Sequence, residues 1–152
     1  MKRKAAIISI KGLSLTQAES SLLKKEKPWG IILFKRNLKS YNQVKRLTSK
    51  IKSLTRNRNF PILIDEEGEN VTRLNNIIKH NISAKFYGDL FKKDRIFCSK
   101  ILNHYIHSLS KILRDLGINI NTVPVLDVSR KYTNKVIGNR SYSKNSKITR
   151  WY

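Results

Sequence analysis

The chain has 152 residues, 39% of them hydrophobic, and carries 32 Lys and Arg against 10 Asp and Glu, a formal net charge of +22. That apolar share supports one folded domain over residues 1–152 and excludes wholesale disorder. The single cysteine, Cys98, excludes an intramolecular disulfide and a cysteine-based zinc site, and it accords with a reducing compartment.

The first ten residues are charged and then apolar, but the apolar part is short and meets Lys11. It is read as a first strand over 5–10 in a cytoplasmic protein rather than as a signal peptide. No apolar run approaches the roughly 18 residues a membrane span requires. Thr16 and Glu19 have capping-box spacing and open a helix to about Lys25. A second strand follows at 30–34, and Ser40 with Gln43 opens a second helix. Its apolar stripe is Tyr41, Val44, Leu47, Ile51 and Leu54. A third strand lies over 61–66. A third helix is expected from about Lys92 to Leu116, buried along Ile101, Tyr105, Leu109, Ile112 and Leu116, with Gly117 just past its end. The fourth strand is placed within 120–128, on the apolar run 123–126. These runs are continuously apolar, the pattern of strands covered on both faces, and the β-α-β-α-β-α-β order predicts a parallel sheet.

The lysines are spread along the whole chain among many Asn and Ile, as codon bias in an AT-rich genome would produce. Only Lys35–Lys39 and Arg56–Arg58 form local basic clusters, and neither is interleaved with stacking aromatics. The charge therefore does not by itself point to nucleic acid.

In parallel α/β folds ligands bind beyond the carboxyl ends of the strands. Lys35, Arg36 and Asn37 follow the second strand and Asp127 follows the fourth. After the third come Asp65, Glu66, Glu67 and Glu69, four of the ten acidic residues in a chain otherwise poor in them. Such carboxylates grip sugar hydroxyls, bind metal or exchange protons; equally, they cap a solvated loop. Metal is the weaker reading, because consecutive side chains in an extended segment point to opposite faces. Arg73 and Arg140 lie in the loops after the third and fourth strands, and each offers planar donors to a carboxylate or to adjacent hydroxyls. His104 and His107 read as ordinary helix residues, His80 sits in a polar loop, and Cys98 reads as a small core residue. There is no G-x-S-x-G and no P-loop.

Four segments, in order, resemble glycoside hydrolase family 3, specifically its bacterial cytoplasmic β-N-acetylhexosaminidases that trim cell-wall muropeptides during recycling. They are Gly30-Ile-Ile-Leu-Phe-Lys-Arg-Asn37, Asp65-Glu-Glu-Gly-Glu-Asn-Val-Thr-Arg73, Leu116-Gly-Ile-Asn-Ile-Asn-Thr-Val-Pro-Val-Leu-Asp-Val128 and Ile137-Gly-Asn-Arg-Ser-Tyr142. The resemblance implies the N-terminal half of a (β/α)8 TIM barrel, with about four parallel strands and three crossover helices. It implies that Asp65, Arg73 and Arg140 contact N-acetylglucosamine, that Glu67, Gly68 and Asp127 shape the supporting loops, and that no metal or cofactor takes part. Glu69 stands where the family keeps a second glycine, which places a side chain in a turn that needs φ > 0.

A full barrel takes about 250 residues. The family's K-H-F-P-G-H-G segment, its acid/base histidine and its nucleophilic aspartate have no counterpart here. A retaining glycosidase needs two catalytic groups flanking the scissile bond, so no catalytic residue is assigned. The expectation is an N-terminal fragment with part of the sugar subsite and no turnover alone. Two alternatives stand beside it. One is half of a split enzyme, completed by a C-terminal half-barrel or by self-association through open sheet edges. The other is a basic protein that binds nucleic acid or an anionic polymer.

Overall fold

A computed structural model describes residues 3–152. In chain order the elements are β1 (Lys4–Ser9), α1 (Gln17–Glu26), β2 (Pro28–Leu33), α2 (Tyr41–Leu54), β3 (Ile62–Ile64), α3 (Ala84–Lys93), α4 (Arg95–Asp115), β4 (Ile120–Asn121) and α5 (Ser146–Thr149). Short 3-10 turns lie at Lys35–Asn37 and Gly138–Arg140. The four strands are parallel and stand in sequence order, β1-β2-β3-β4. This is the strand order expected for the first half of a (β/α)8 barrel. Ile31 pairs with Ile62 and Leu33 with Ile64, while Leu63 pairs with Ile120.

By its internal contacts the chain divides into two compact units. The first comprises residues up to 65, 73–79 and 111–121, and so holds the sheet, α1 and α2. Its core is Ile31 and Leu33 of β2, Ile62 and Ile64 of β3, and Val44, Leu47 and Ile51 of α2, all buried. The helix starts follow their sequence signals. Thr16 accepts from the Glu19 N–H while Glu19 reaches back to the Thr16 N–H at 2.8 Å, a complete capping box. Ser40 accepts from the Gln43 N–H, but the Gln43 side chain bonds the Lys39 N–H instead of the cap's own. Thr48, buried on α2, donates to the Leu116 carbonyl at 2.8 Å. Gly117 ends α4 at φ +80, with the Ile118 N–H returning to the Leu113 carbonyl.

The second unit comprises 66–72, 80–110 and 122–152. Tyr87, Cys98 and Leu109 are buried within it, Cys98 completely. Near the chain's last described residues, Tyr152 stacks on Tyr142 with ring centroids 4.0 Å apart.

Four expectations need correction. The third helix starts at Arg95 (α4) rather than at about Lys92, and a further helix, α3 over 84–93, precedes it where none was expected; between them Asp94 turns extended (φ −151, ψ 100) and accepts from the Phe97 N–H at 2.9 Å. An aspartate that can bond the backbone ahead of it starts a new helix more readily than it continues an old one. The buried side of α4 is Cys98, Leu109 and Leu113, whereas Ile101 is exposed; Tyr41 of α2 is exposed as well. The fourth strand pairs at Ile120–Asn121, upstream of the 123–126 run. Pro124 has no N–H for a ladder, and Val123 and Leu126 are exposed. Finally, β1 is not covered on both faces: it is an edge strand, exposed along most of its length, with Ile7 49% accessible.

Candidate functional site

β3 ends at Ile64, and the three carboxylates that follow each take a different partner. In the first unit, Asp65 receives a two-pronged bond from Arg73, Nε to Oδ1 at 3.2 Å and Nη2 to Oδ2 at 2.5 Å. Both side chains keep about a fifth to a quarter of their surface accessible (21% and 25%), so the pair is reachable. The Arg73 guanidinium also lies 5.7 Å from the Phe34 ring centroid, and Arg36 approaches the same ring at 4.8 Å. Arg36 and buried Asn37 are anchored in turn: Arg36 Nε and Asn37 Nδ2 both donate to the Ile10 carbonyl at 3.1 Å. Residues just past β1, β2 and β3 thus form one connected cluster at the strands' carboxyl ends, where the parallel-sheet rule places a ligand site.

In the second unit Glu66 is 1% exposed, and its Oε1 is 2.7 Å from His80 Nε2. The other ring nitrogen of His80 is 3.4 Å from the Tyr105 hydroxyl. Burial, and next the nearby Glu66 carboxylate, push the Tyr105 phenol up to about 12. Glu67 pairs with Arg140 in the same fork geometry as Asp65 with Arg73, at 2.7 Å (Nε–Oε2) and 3.0 Å (Nη2–Oε1). Burial and then the Glu67 carboxylate raise the pKa of Tyr142.

The loop carrying Glu67 is a tight turn. The Glu67 N–H bonds the Val71 carbonyl and the Val71 N–H bonds the Gly68 carbonyl. Gly68 has φ +96, and a Cβ there would collide with the Ile82 carbonyl. Glu69 follows at φ +37, so the anticipated left-handed backbone carries a side chain. Glu69 Oε1 accepts from Asn139 Nδ2 at 3.4 Å, while Oε2 is buried without a hydrogen-bond partner. Arg140 sits on the turn Gly138–Arg140. The following Ser141 donates from Oγ to the Asp127 carbonyl at 2.7 Å, so Asp127 supports the loop through its backbone while the residue is exposed. Between Glu67, Glu69, Asn139, Arg140 and Tyr142 there is a pocket of only about 20 Å³. That is room for a water and no sugar ring.

Of the sequence-based candidates, Asp65 and Arg73 come together, and Arg140 is partnered by Glu67. Sequence reasoning missed the role of His80, because nothing local marks a loop histidine as the partner of a carboxylate 14 positions earlier. It also missed Phe34 as a platform and Asn139. Among the described residues no three His, Cys, Asp or Glu side chains are grouped to hold a metal ion. The arrangement offers planar donors and acceptors in fixed pairs, chemistry suited to vicinal hydroxyls and amides.

The model of the glycosyl hydrolase family 3 N-terminal domain matches residues 3–152. The chain belongs to glycosyl hydrolase family 3. A β-hexosaminidase of Chromobacterium violaceum is 30% identical over 142 residues, covering 93% of this chain and 39% of that protein. NagZ from Neisseria gonorrhoeae, solved in complex with N-trifluoroacetyl-D-glucosamine, superposes with a TM-score of 0.86 at 30% identity over 97% of this chain and 43% of its own. A family 3 β-N-acetylglucosaminidase from Paenibacillus sp. gives 0.77 at 30% identity, covering 94% of this chain and 27% of its own. The chain spans about 40% of the length of the curated relatives it matches. Its four parallel strands with connecting helices correspond to the N-terminal part of a family 3 barrel.

Proposed function

We propose that this chain is the N-acetylglucosamine-gripping part of a β-N-acetylhexosaminidase-type glycoside hydrolase. Its substrate is the terminal N-acetylglucosamine of cell-wall muropeptides, met in the cytoplasm during peptidoglycan recycling. The observation that carries this reading is the two-pronged Asp65–Arg73 pair at the carboxyl end of β3. Asp65 accepts from sugar hydroxyls, Arg73 and Arg140 donate to hydroxyl and amide oxygens, and Glu67, Gly68 and Asp127 set the loops that present them. Hydrolysis with retention needs a nucleophile and an acid/base on opposite sides of the bond. Asp65 and Glu67 are each engaged by an arginine and Glu66 by His80, so none of the three is assigned either role. The catalytic pair comes from further barrel strands, supplied by a C-terminal half that adds to the exposed edges. The accessibility of Ile7 on edge strand β1 favours such an addition.

Titration of the chain with N-acetylglucosamine, followed by NMR, is expected to show saturable binding near 1 mM, about −4 kcal/mol, and Asp65→Ala is expected to abolish it. Hydrolysis of a chromogenic β-N-acetylglucosaminide is expected to be absent. Turnover by the chain alone that disappears in Asp65→Ala would overturn the assignment of catalysis to other strands. Unchanged sugar binding in Asp65→Ala would overturn the subsite.

A further inference from the structure

At the amino ends of the strands, the opposite end of the sheet from the Asp65–Arg73 pair, the first unit contains a cavity of about 700 Å³. Its walls come from the ends of α1 and α2 and the starts of β1, β2 and β3. Four cations line it, Arg3, Lys24, Lys27 and Arg56, and none of its lining residues is acidic. The nearest acid in sequence, Glu26, is engaged by Lys4. The floor is apolar: Leu23 is 1% and Phe60 2% exposed, and the Arg3 guanidinium stands 5.6 Å from the Phe60 ring centroid.

A uniformly basic surface does not produce this arrangement. Four of the ten lining residues are cationic, against 32 of 152 in the whole chain. Complementing the dipoles of α1 and α2 accounts for Lys24, Lys27 and Arg56 at the carboxyl ends of those helices, but not for Arg3, which precedes a strand. Lys27 and Arg56 hold φ of +48 and +49, conformations where glycine is the low-cost residue, so both positions keep a cation against backbone preference. Guanidinium forks and ammonium groups around a concave site match the oxygens of phosphate groups. The volume lies in the range of small-molecule pockets. No aromatic platform is accessible for stacking bases, since Phe60 is buried.

We propose that this cavity is an anion site for a small phosphorylated molecule, separate from the sugar-binding cluster. The four cations hold the phosphate groups.

The test is calorimetric titration of the chain with inorganic pyrophosphate at two salt concentrations, repeated with Lys27→Gly/Arg56→Gly. Glycine suits both backbone conformations, so the fold is retained while two cations are lost. A charge-matched control is Lys100→Gln/Lys135→Gln, at two exposed positions that do not line the cavity. One-to-one binding is expected, weakened at least about tenfold in the first double variant and less than about twofold in the control. Arg3→Gln provides a second variant that leaves both left-handed positions untouched, and it is also expected to weaken binding. Absence of saturable pyrophosphate binding would overturn the site. So would equal losses in the two double variants, or a single-stranded oligonucleotide binding more tightly than pyrophosphate with the same sensitivity to both, because the charge would then act as a diffuse field.

Discussion

Replacing Glu69 by glycine is expected to stabilise the protein. Glu69 holds φ +37, and a non-glycine residue there costs about 1–2 kcal/mol. Its Oε2 is buried without a partner, which costs about 1–3 kcal/mol. Against these gains stand the lost 3.4 Å bond from Asn139, about 1 kcal/mol, and the extra unfolded-state freedom of glycine, about 0.5–1 kcal/mol. Mid-range values leave a net gain of about 1–2 kcal/mol. For a chain of this size that is a rise in Tm of roughly 3–6 °C, readable by circular dichroism or in the urea midpoint. Glu69→Ala separates the two terms, since it removes the orphaned oxygen but keeps the strained backbone. It should gain about 1 kcal/mol less than glycine. Glycine no more stable than alanine would refute the strain argument, and a loss of stability in both would refute the account of Oε2.

Two further outcomes are expected. The Tyr105 phenol has a folded pKa of about 12 against an ordinary value of 10, so its neutral form is favoured by folding. That contribution is complete below pH 10 and is lost as pH rises through 10 to 12; alkaline unfolding curves should show the loss, and Tyr105→Phe should remove that part of the pH dependence. Glu67 and Arg140, 10% and 23% exposed, form one forked pair. A double-mutant cycle of Glu67→Gln and Arg140→Ala by urea denaturation should give a coupling of about 1–3 kcal/mol, and a coupling near zero would show that the pair does not hold the loop.

Much of the fold was readable because its signals are local. A Thr16–Glu19 capping box needs only four residues to be decided, and it forms as read. The β-α alternation emerges from the same short-range periodicity, and Gly117 ends α4 where the pattern stops. Even the strained turn was expected, but from the family resemblance, since Glu69 stands where the family keeps a second glycine and holds φ +37. The readings that failed were those in which a local pattern has two solutions. An apolar run at 123–126 looks like a strand, but pairing belongs to Ile120–Asn121, because β3 presents its free backbone groups to those residues. The helix expected from about Lys92 starts at Arg95 instead, where Asp94 accepts from the Phe97 N–H and closes off the unexpected α3.

The candidate site divides along the same line. That Glu66 points away from Asp65 and Glu67 follows from the two-residue period of an extended segment, and the sequence alone determines it. Which group each carboxylate meets does not follow, because the partners lie 8, 14 and 73 positions away. Loops of those lengths can close on many residues at nearly equal entropic cost. Only the packing that buries Glu66, and the turn that presents Arg140, select one partner for each. The cavity at the amino ends of the strands is likewise a product of tertiary structure. Arg3, Lys27 and Arg56 look unremarkable in a chain of charge +22 and become a site only where three strand starts and two helix ends meet.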